Sequence, residues 1–581
     1  MSLLLFWYIF LCSVVALDTS NDNDLITFIT LPQHRVLKWN VTYYDRGSEV
    51  APGYWFVAPY HLNQGEPKTN RWTPCQIGPY IFDQKGDLVW AGSCEFDNQN
   101  VYDFHVVDTI DEKPYLTMLV QENFANRESD GSAIIYNNEY LPVHSVPRPG
   151  SAIDNHEFYL KEPPNALLIT HKNEQMTLAD FGHPERSVGI RTNGFIELDI
   201  NTSEYLFEWF SGDHITLDES FVLNPNDQIP DADYLHMNSV DKSANGDYLV
   251  SARHTNAIYL ISSSDGQILW RLGGKKSNFE MDFQFTGQHS ARFVSQSSTH
   301  ITISFLDNGA NFLVVNEPTS SALYVELDLL TMKAKVLNRY MRPDGGSNPA
   351  RGNMQTLPNT NVLVSWSYYG YMSEFTHDGQ LLMDASFASE RFSTYRAYKF
   401  PWRSQPGYAP TLVSSCYGVN GSVLSTVFHV SWNGATDVQR WRFFARANAT
   451  AVDREIGEVA KNGFESSFIT RGFMDWVSVQ ALDSEGNVLG ASALLRTEPP
   501  EYWPESASGL APDDPDALFD EEPVQLPAGS GVFAGLFMGF VVSTIGYSCY
   551  PIVRRYVRLV QLRSSWEERN EEELGLMKEK V

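Results

Sequence analysis

Residues 246–272 read GDYLVSARHTNAIYLISSSDGQILWRL, and this stretch decides the fold. Two short apolar runs rich in β-branched and aromatic residues flank a polar break. The serine-rich SSSDG then turns the chain into a third run, the signature of a strand followed by a hairpin. The same unit recurs along the chain. ALLITHK (166–172) goes with GFIELDINTSEYLFEW (194–209), and HITISFLDNG (300–309) with ALYVELDLLTMKAKVLNRY (322–340). NVLVSWS (361–367) goes with YMSEFTHDGQLLMDA (371–385). Weaker copies are PYIFDQKGDLVW (79–90) and PYLTMLVQEN (114–123) with SAIIYNNEYLPV (132–143). Units of about four strands at irregular spacing of roughly 30 to 60 residues read as propeller blades. Six units are visible, so the expected fold is all-β, with a six-bladed β-propeller over residues 18–408.

The pattern changes beyond residue 408. Residues 409–497 carry evenly spaced strands and read as a small fibronectin/Ig-like β-sandwich. Residues 498–527 are acidic and Pro-rich and read as an extended stalk. Residues 528–553 hold no charge and are long enough for one transmembrane helix, which needs about 20 residues. Within it, Gly531, Gly535 and Gly539 stand at i, i+4 spacing, the pattern of a close helix–helix homodimer face, although Gly is common in membrane helices generally. Arg554, Arg555, Arg558 and Arg563 follow, which assigns residues 554–581 to the cytosol. Residues 1–17 read as a signal peptide. The expected topology is therefore a single-pass type I membrane protein of the secretory pathway or cell surface. The sequons at Asn40, Asn201, Asn420 and Asn448 all precede the span and agree with it.

The chain carries 71 acidic and 42 basic residues, a formal net charge of −29. That excludes a basic nucleic-acid-binding face and leaves no nucleic acid among the expected partners. Of the five cysteines, Cys12 belongs to the leader and Cys549 to the span. Cys75 and Cys94 are placed symmetrically about the turn at Asp83–Gly86, which predicts a disulfide in an oxidising compartment. Cys416 has no evident mate.

Histidines recur where successive units begin: His156 in DNHEF, His236 in HMNSVD and His289 in TGQHSAR, with Asn353 and Gln355 at the equivalent place later. In a propeller that position faces the central channel. Asn238, Arg253, His254 and Arg292 add polar groups nearby. The aromatic run TNVLVSWSYYGYMSEF (360–375) offers either channel lining or core packing. Three His could ligate zinc. Their separation in sequence and the company of Arg253 argue against it, so no metal and no cofactor are expected.

The order H-x-N, S-x-R-H, W-x-L-G-G and Q-H in HMNSVDKSANGDYLVSARHTNAIYLISSSDGQILWRLGG and FTGQHSARF, followed by LDNGAN, resembles the arylsulfotransferase (ASST) family, most closely its fungal secreted and membrane members. The resemblance spans roughly residues 70–400. It implies a β-propeller whose channel transfers a sulfuryl group from a phenolic sulfate ester to a phenolic acceptor, through a sulfohistidine and without a nucleotide donor. His289 matches the nucleophile, His236 and Asn238 the H-x-N pair, Arg253 the S-x-R arginine and His156 an earlier channel histidine; His254 follows Arg253 as in the family. The chemistry is coherent, since a neutral imidazole can attack sulfur and Arg253 and Asn238 could hold the oxygens. The expected partner is a small phenolic or sulfate-ester ligand. The acidic surface would repel such an anion unless the channel is locally positive. The alternative is a non-catalytic propeller that binds a small molecule, glycan or cell-wall component at the cell surface.

Overall fold

Alternating apolar side chains and β-branched runs produce an all-β chain. The computed structural model describes residues 24–499, apart from residues 62–74, 97–98, 111–112, 122–130, 147–151, 224–231, 311–314 and 419–423. Among the described residues there are strands and short 3-10 turns but no α-helix. No described helix is long and apolar enough to cross a membrane. The expected signal peptide, stalk, span 528–553, tail and the sequon at Asn420 lie outside the described residues. Asn40, Asn201 and Asn448 are exposed.

Six sheets of four or five strands follow one another, antiparallel except where the short strands Ala232–Asp233 and Glu280–Met281 add parallel edges to the second and fourth. The innermost strands are Val101–Ile110, Ala152–Glu162, Met237–Lys242, His289–Gln296, Asn353–Thr356 and Ala397–Phe400. The hairpins read from sequence are there, for example Tyr248–Ala252 paired with Ala257–Ile261, and that with Ile268–Gly273. The sixth sheet is composite. Ala397–Phe400 pairs with Tyr54–Val57, which is followed by Tyr80–Phe82 and Leu88–Ala91. Trp39–Tyr43 likewise adds a last strand to the fifth sheet, on Leu381–Phe387.

Side chains stitch the innermost strands of neighbouring sheets together. Asp103 Oδ2 accepts the Phe158 N–H (3.2 Å), and Glu157 Oε2 the Val240 N–H (3.4 Å). Asn238, Ser239 and Asp241 accept the N–H groups of Ser290, Ala291 and Phe293. Asn308 Nδ2 donates to the Asn348 and Arg351 carbonyls. Asn353 and Gln355 each hold both the N–H and C=O of a residue opposite, Ala397 and Lys399. Arg396 returns to Asp103 at 2.7 Å and closes the ring. These buried clamps satisfy backbone groups that no ladder reaches.

Beside two two-stranded sheets, Leu25–Ile26 with Val36–Leu37 and Tyr60–His61 with Phe392–Ser393, the described chain has two further sheets, one of three strands within residues 411–471 and one of five within residues 440–496. They enclose a separate core around Phe428, Trp441, Phe443, Val477 and Val479. The first seam runs from Asn433, whose amide exchanges hydrogen bonds with Ala91 N–H and C=O, to Gly434, whose N–H reaches the Val89 carbonyl at 2.7 Å. The predicted Cys75–Cys94 disulfide is present, and Cys416 is a buried free thiol.

Candidate functional site

Each innermost strand enters at one cavity and leaves at another. A narrow cavity of about 270 Å³ is lined by Tyr60, Tyr102, Asn155, His156, His236, Arg253, His289, Ala350, Arg351 and Tyr395. Three to five residues further along the chain, Val106, Tyr159, Asp241, Arg292, Met354 and Tyr398 are among those lining a wider cavity of about 570 Å³. The backbone is distorted where the narrow cavity is built. Asp103 (φ 51°), His236 (53°), Ser290 (58°) and Arg351 (66°) are non-glycine residues in the left-handed region, which costs on the order of 1 kcal/mol or more each. The strand register slips between Tyr102 and His105, Ile153 and Phe158, Met237 and Ser239, and His289 and Arg292. A slip of this kind re-aims a side chain out of the pleat, here toward the cavity.

The histidines are held alike, by Nδ1. His156 Nδ1–H donates to Asp154 Oδ1, and His236 Nδ1–H to Asp233 Oδ2 at 2.6 Å. His254 Nδ1–H donates to the Asp233 carbonyl at 2.7 Å. His289 Nδ1–H meets Asn308 Oδ1 at 2.7 Å and the Gly287 carbonyl at 2.8 Å, while its Nε2 accepts the Arg351 N–H at 3.1 Å. The His156 and His236 rings stand edge to face with centroids 4.8 Å apart, and His254 stacks on His236 at 4.6 Å. Burial, and secondarily the Arg253 charge, holds His289 well below the usual imidazole range. Burial also depresses His236, outweighing Asp233, and takes His254 down to about 3. His289 therefore presents a neutral imidazole with its lone pair at Nε2.

The positive groups are two arginines. Arg253 donates to the Pro349 carbonyl at 2.9 Å, and Arg351 to Ser393 Oγ at 2.8 Å while lying 4.9 Å from the Tyr60 ring centre. Burial and the neighbouring Arg351 lower the Arg253 pKa to about 10, which leaves it charged at neutral pH. Two arginine charges thus face the pocket, with the Asp154 and Asp233 carboxylates behind its histidines. Tyr60, Tyr102 and Tyr395 supply aromatic walls. A floor of buried ion pairs divides the two cavities: Arg396 bridges Asp103 and Glu157 at 2.7 and 2.9 Å, and Arg292 holds Glu157 at 2.7 Å.

Four of the sequence candidates, His156, His236, Arg253 and His289, meet in the narrow cavity. Two do not line it. Asn238 is spent on backbone, its Nδ2 donating to the Gln288 carbonyl at 2.8 Å and its Oδ1 accepting the Ser290 N–H at 3.2 Å, so it clamps both neighbours of His289. His254 backs His236. Arg292 belongs to the floor and the wider cavity. The aromatic run 360–375 divides: Trp366 is wholly buried in the core, Tyr369 is exposed, and the Tyr368 ring lies 5.6 Å from the guanidinium of Arg351, which lines the cavity. Sequence reasoning missed Arg351 and the three tyrosines, which have no repeated motif, and it quoted Asn308 within LDNGAN without placing it in the site. Among the described residues, ligand atoms of Asp233, His236 and His254 lie within 4.8 Å of one another, as do those of His34, Cys75 and Cys94. The two thiols of the second group are spent in the disulfide. In the first, Asp233 is engaged by both histidines and the Arg253 charge opposes a further cation.

Residues 126–388 match the model of the arylsulfotransferase (ASST) family. No curated protein matches the chain. Among solved structures, the chain is similar to a Bacteroides caccae protein of unknown function, at 12% identity over 60% of this chain and 99% of that one, with a TM-score of 0.33. It is also similar to the GH43 BlXynB protein from Bacillus licheniformis (7% identity, 67% and 88% covered, TM-score 0.26). A virginiamycin B lyase from Staphylococcus aureus with quinupristin matches at 11% identity (61% and 84% covered, TM-score 0.24).

Proposed function

From the arylsulfotransferase (ASST) family match over residues 126–388, we propose that this protein transfers a sulfuryl group from a phenolic sulfate ester to a phenolic acceptor in the narrow cavity. In this reading the six sheets are the blades of a propeller and the last two sheets an Ig-like sandwich, borne on a membrane-anchored chain of the fungal type. The observation that carries the reading is one convergence. A neutral buried imidazole at His289, two arginines, two further histidines and three tyrosine rings come from separate sheets and loops to one cavity. His289 Nε2 leaves the Arg351 N–H and attacks sulfur. The N–S bond forms as the S–O bond to the aryl group breaks, and the aryl group departs as the phenolate anion, because the His156–His236 wall carries its ring protons on Nδ1 against Asp154 and Asp233 and offers only Nε2 lone pairs. The phenolic acceptor then gives its proton to that wall and attacks sulfur, and the N–S bond breaks. Arg253, with Arg351 beside it, holds the sulfonate oxygens in both steps, in a site screened from bulk water.

The test uses the full chain with 4-nitrophenyl sulfate and a phenol acceptor. Acceptor-dependent nitrophenol release should fall at least about 10³-fold in His289→Ala, with the melting temperature unchanged. No release from either protein, across several donors and acceptors, replaces the reading with a propeller that binds a ligand in the same cavity without turnover.

A further inference from the structure

We infer that Asn308 is a positioning residue that fixes the tautomer and the basicity of the His289 imidazole. The inference rests on the proposed function only in taking His289 as the nucleophile. Asn308 follows the strand His300–Asp307 and is wholly buried. Its Nδ2 donates to two carbonyls, Asn348 at 2.7 Å and Arg351 at 3.0 Å. A flipped amide would set its oxygen against both of them, so Oδ1 must face His289 Nδ1, at 2.7 Å. The Gly287 carbonyl, at 2.8 Å, is a second acceptor on the same nitrogen. With two acceptors there, the proton stays on Nδ1 and the lone pair on Nε2.

The loop that carries Asn308 is tied on both sides. Asp307 Oδ1 accepts the Thr286 and Gly309 N–H groups at 2.9 Å each, which binds it to the segment before His289. Ser320 Oγ donates to the Asn308 carbonyl at 2.6 Å. The same amide thus sets two things: the imidazole, and the Arg351 segment whose N–H caps Nε2.

The choice of an amide has a chemical consequence. A carboxylate in that place would favour the imidazolium, raise the ring's pKa and occupy the lone pair near neutrality. A neutral acceptor leaves the ring weakly basic. Such a ring is unprotonated when it attacks, and it leaves sulfur readily when the acceptor arrives. Once sulfur is bound, the ring is cationic, its Nδ1–H is more acidic, and Oδ1 and the Gly287 carbonyl accept it more strongly. Both halves of a two-step transfer gain from this arrangement.

The experiment reads the ring directly, without a sulfate donor. The full-length wild type, Asn308→Asp and Asn308→Leu are treated with diethyl pyrocarbonate between pH 4 and 8, and modification at His289 is timed by peptide mass spectrometry. Wild-type His289 should react at a nearly constant rate well below pH 6.5. In Asn308→Asp the midpoint of the acid loss should rise by at least about one pH unit. In Asn308→Leu, where the Gly287 carbonyl remains, the rate should fall about tenfold while His156 and His236 react as before. A wild-type profile retained in folded Asn308→Asp overturns the inference. So does a wild-type His289 that stays unmodified while His156 and His236 react. Should both variants fail to fold, ¹⁵N-histidine NMR of the wild type decides: a protonated Nδ1 at His289 supports the inference, and a protonated Nε2 overturns it. The expected modification pattern without turnover of any sulfate ester keeps the inference and removes sulfuryl transfer; turnover with an unmoved Asn308→Asp profile does the reverse.

Discussion

The same strands form both cavities, and the two ends are furnished differently. At the wide end the charges are paired: Lys161 sits 2.7 Å from Asp241, and Arg292 lies against Glu157. Gln355, also at that end, spends its amide on Lys399. At the narrow end Arg253 donates to the Pro349 carbonyl and Arg351 to the Ser393 hydroxyl, and His156 and His236, anchored to Asp154 and Asp233 by Nδ1, keep Nε2 turned away from those anchors. Four residues there also sit in the left-handed backbone region. A structural polar group has its bonds filled by the fold, whereas a working one is held at one atom and left with capacity at another. By that measure the narrow end is the site and the wide end is framework.

The floor between them offers the strongest way to break this contrast. Arg396→Met strands Asp103 as a buried carboxylate and leaves Glu157 to Arg292 alone, and should cost about 3–5 kcal/mol, read as a fall in the urea midpoint. A small cost would mean that water reaches the floor and that the two cavities are one. Next, Arg253→Ala should lower kcat/KM for an aryl sulfate by about 10²–10³-fold, the scale of losing one donor to a developing oxyanion, while Lys161→Ala stays within about twofold. Equal losses would put ligand in both cavities. The smallest effect belongs to Asn238→Ala. It frees the Gln288 carbonyl and the Ser290 N–H, so stability should drop by about 1–3 kcal/mol and turnover only modestly. A loss of turnover as large as that of Arg253→Ala, at unchanged stability, would return Asn238 to the cavity.

How much of this was legible in the sequence depended on whether the signal was local. The third and fourth sheets could be read from Tyr248–Gly273 and His300–Met341, because strand, turn and strand are contiguous there. The sixth could not be, since Tyr54–Val57 meets Ala397–Phe400 across most of the chain. His156, His236 and His289 announced themselves by recurring at one place in successive units. Arg351, Tyr60 and Tyr395 belong to no recurring motif; Arg351 and Tyr395 reach the cavity through loops, and Tyr60 from the two-residue strand Tyr60–His61. Asn238 was found by its motif, but its direction was not: only the slipped register after Met237 turns it onto the next strand. The run at 360–375 shows the opposite limit, as Trp366 could equally line a channel or fill a core until its burial is known.

The composite sixth sheet has a consequence in time. A chain made from its N-terminus produces Tyr54–Val57 early, with one edge still lacking the strand that will cover it. Roughly 340 residues must follow before Ala397–Phe400 arrives, at a synthesis rate of about 5–20 residues per second. For tens of seconds the nascent protein therefore carries an open β-edge next to Trp55 and Phe56, the kind of surface on which chains aggregate. Its maturation is set by the wait for its own last strand, and a stall or truncation before residue 400 should leave a product that chaperones retain, however sound its earlier sheets.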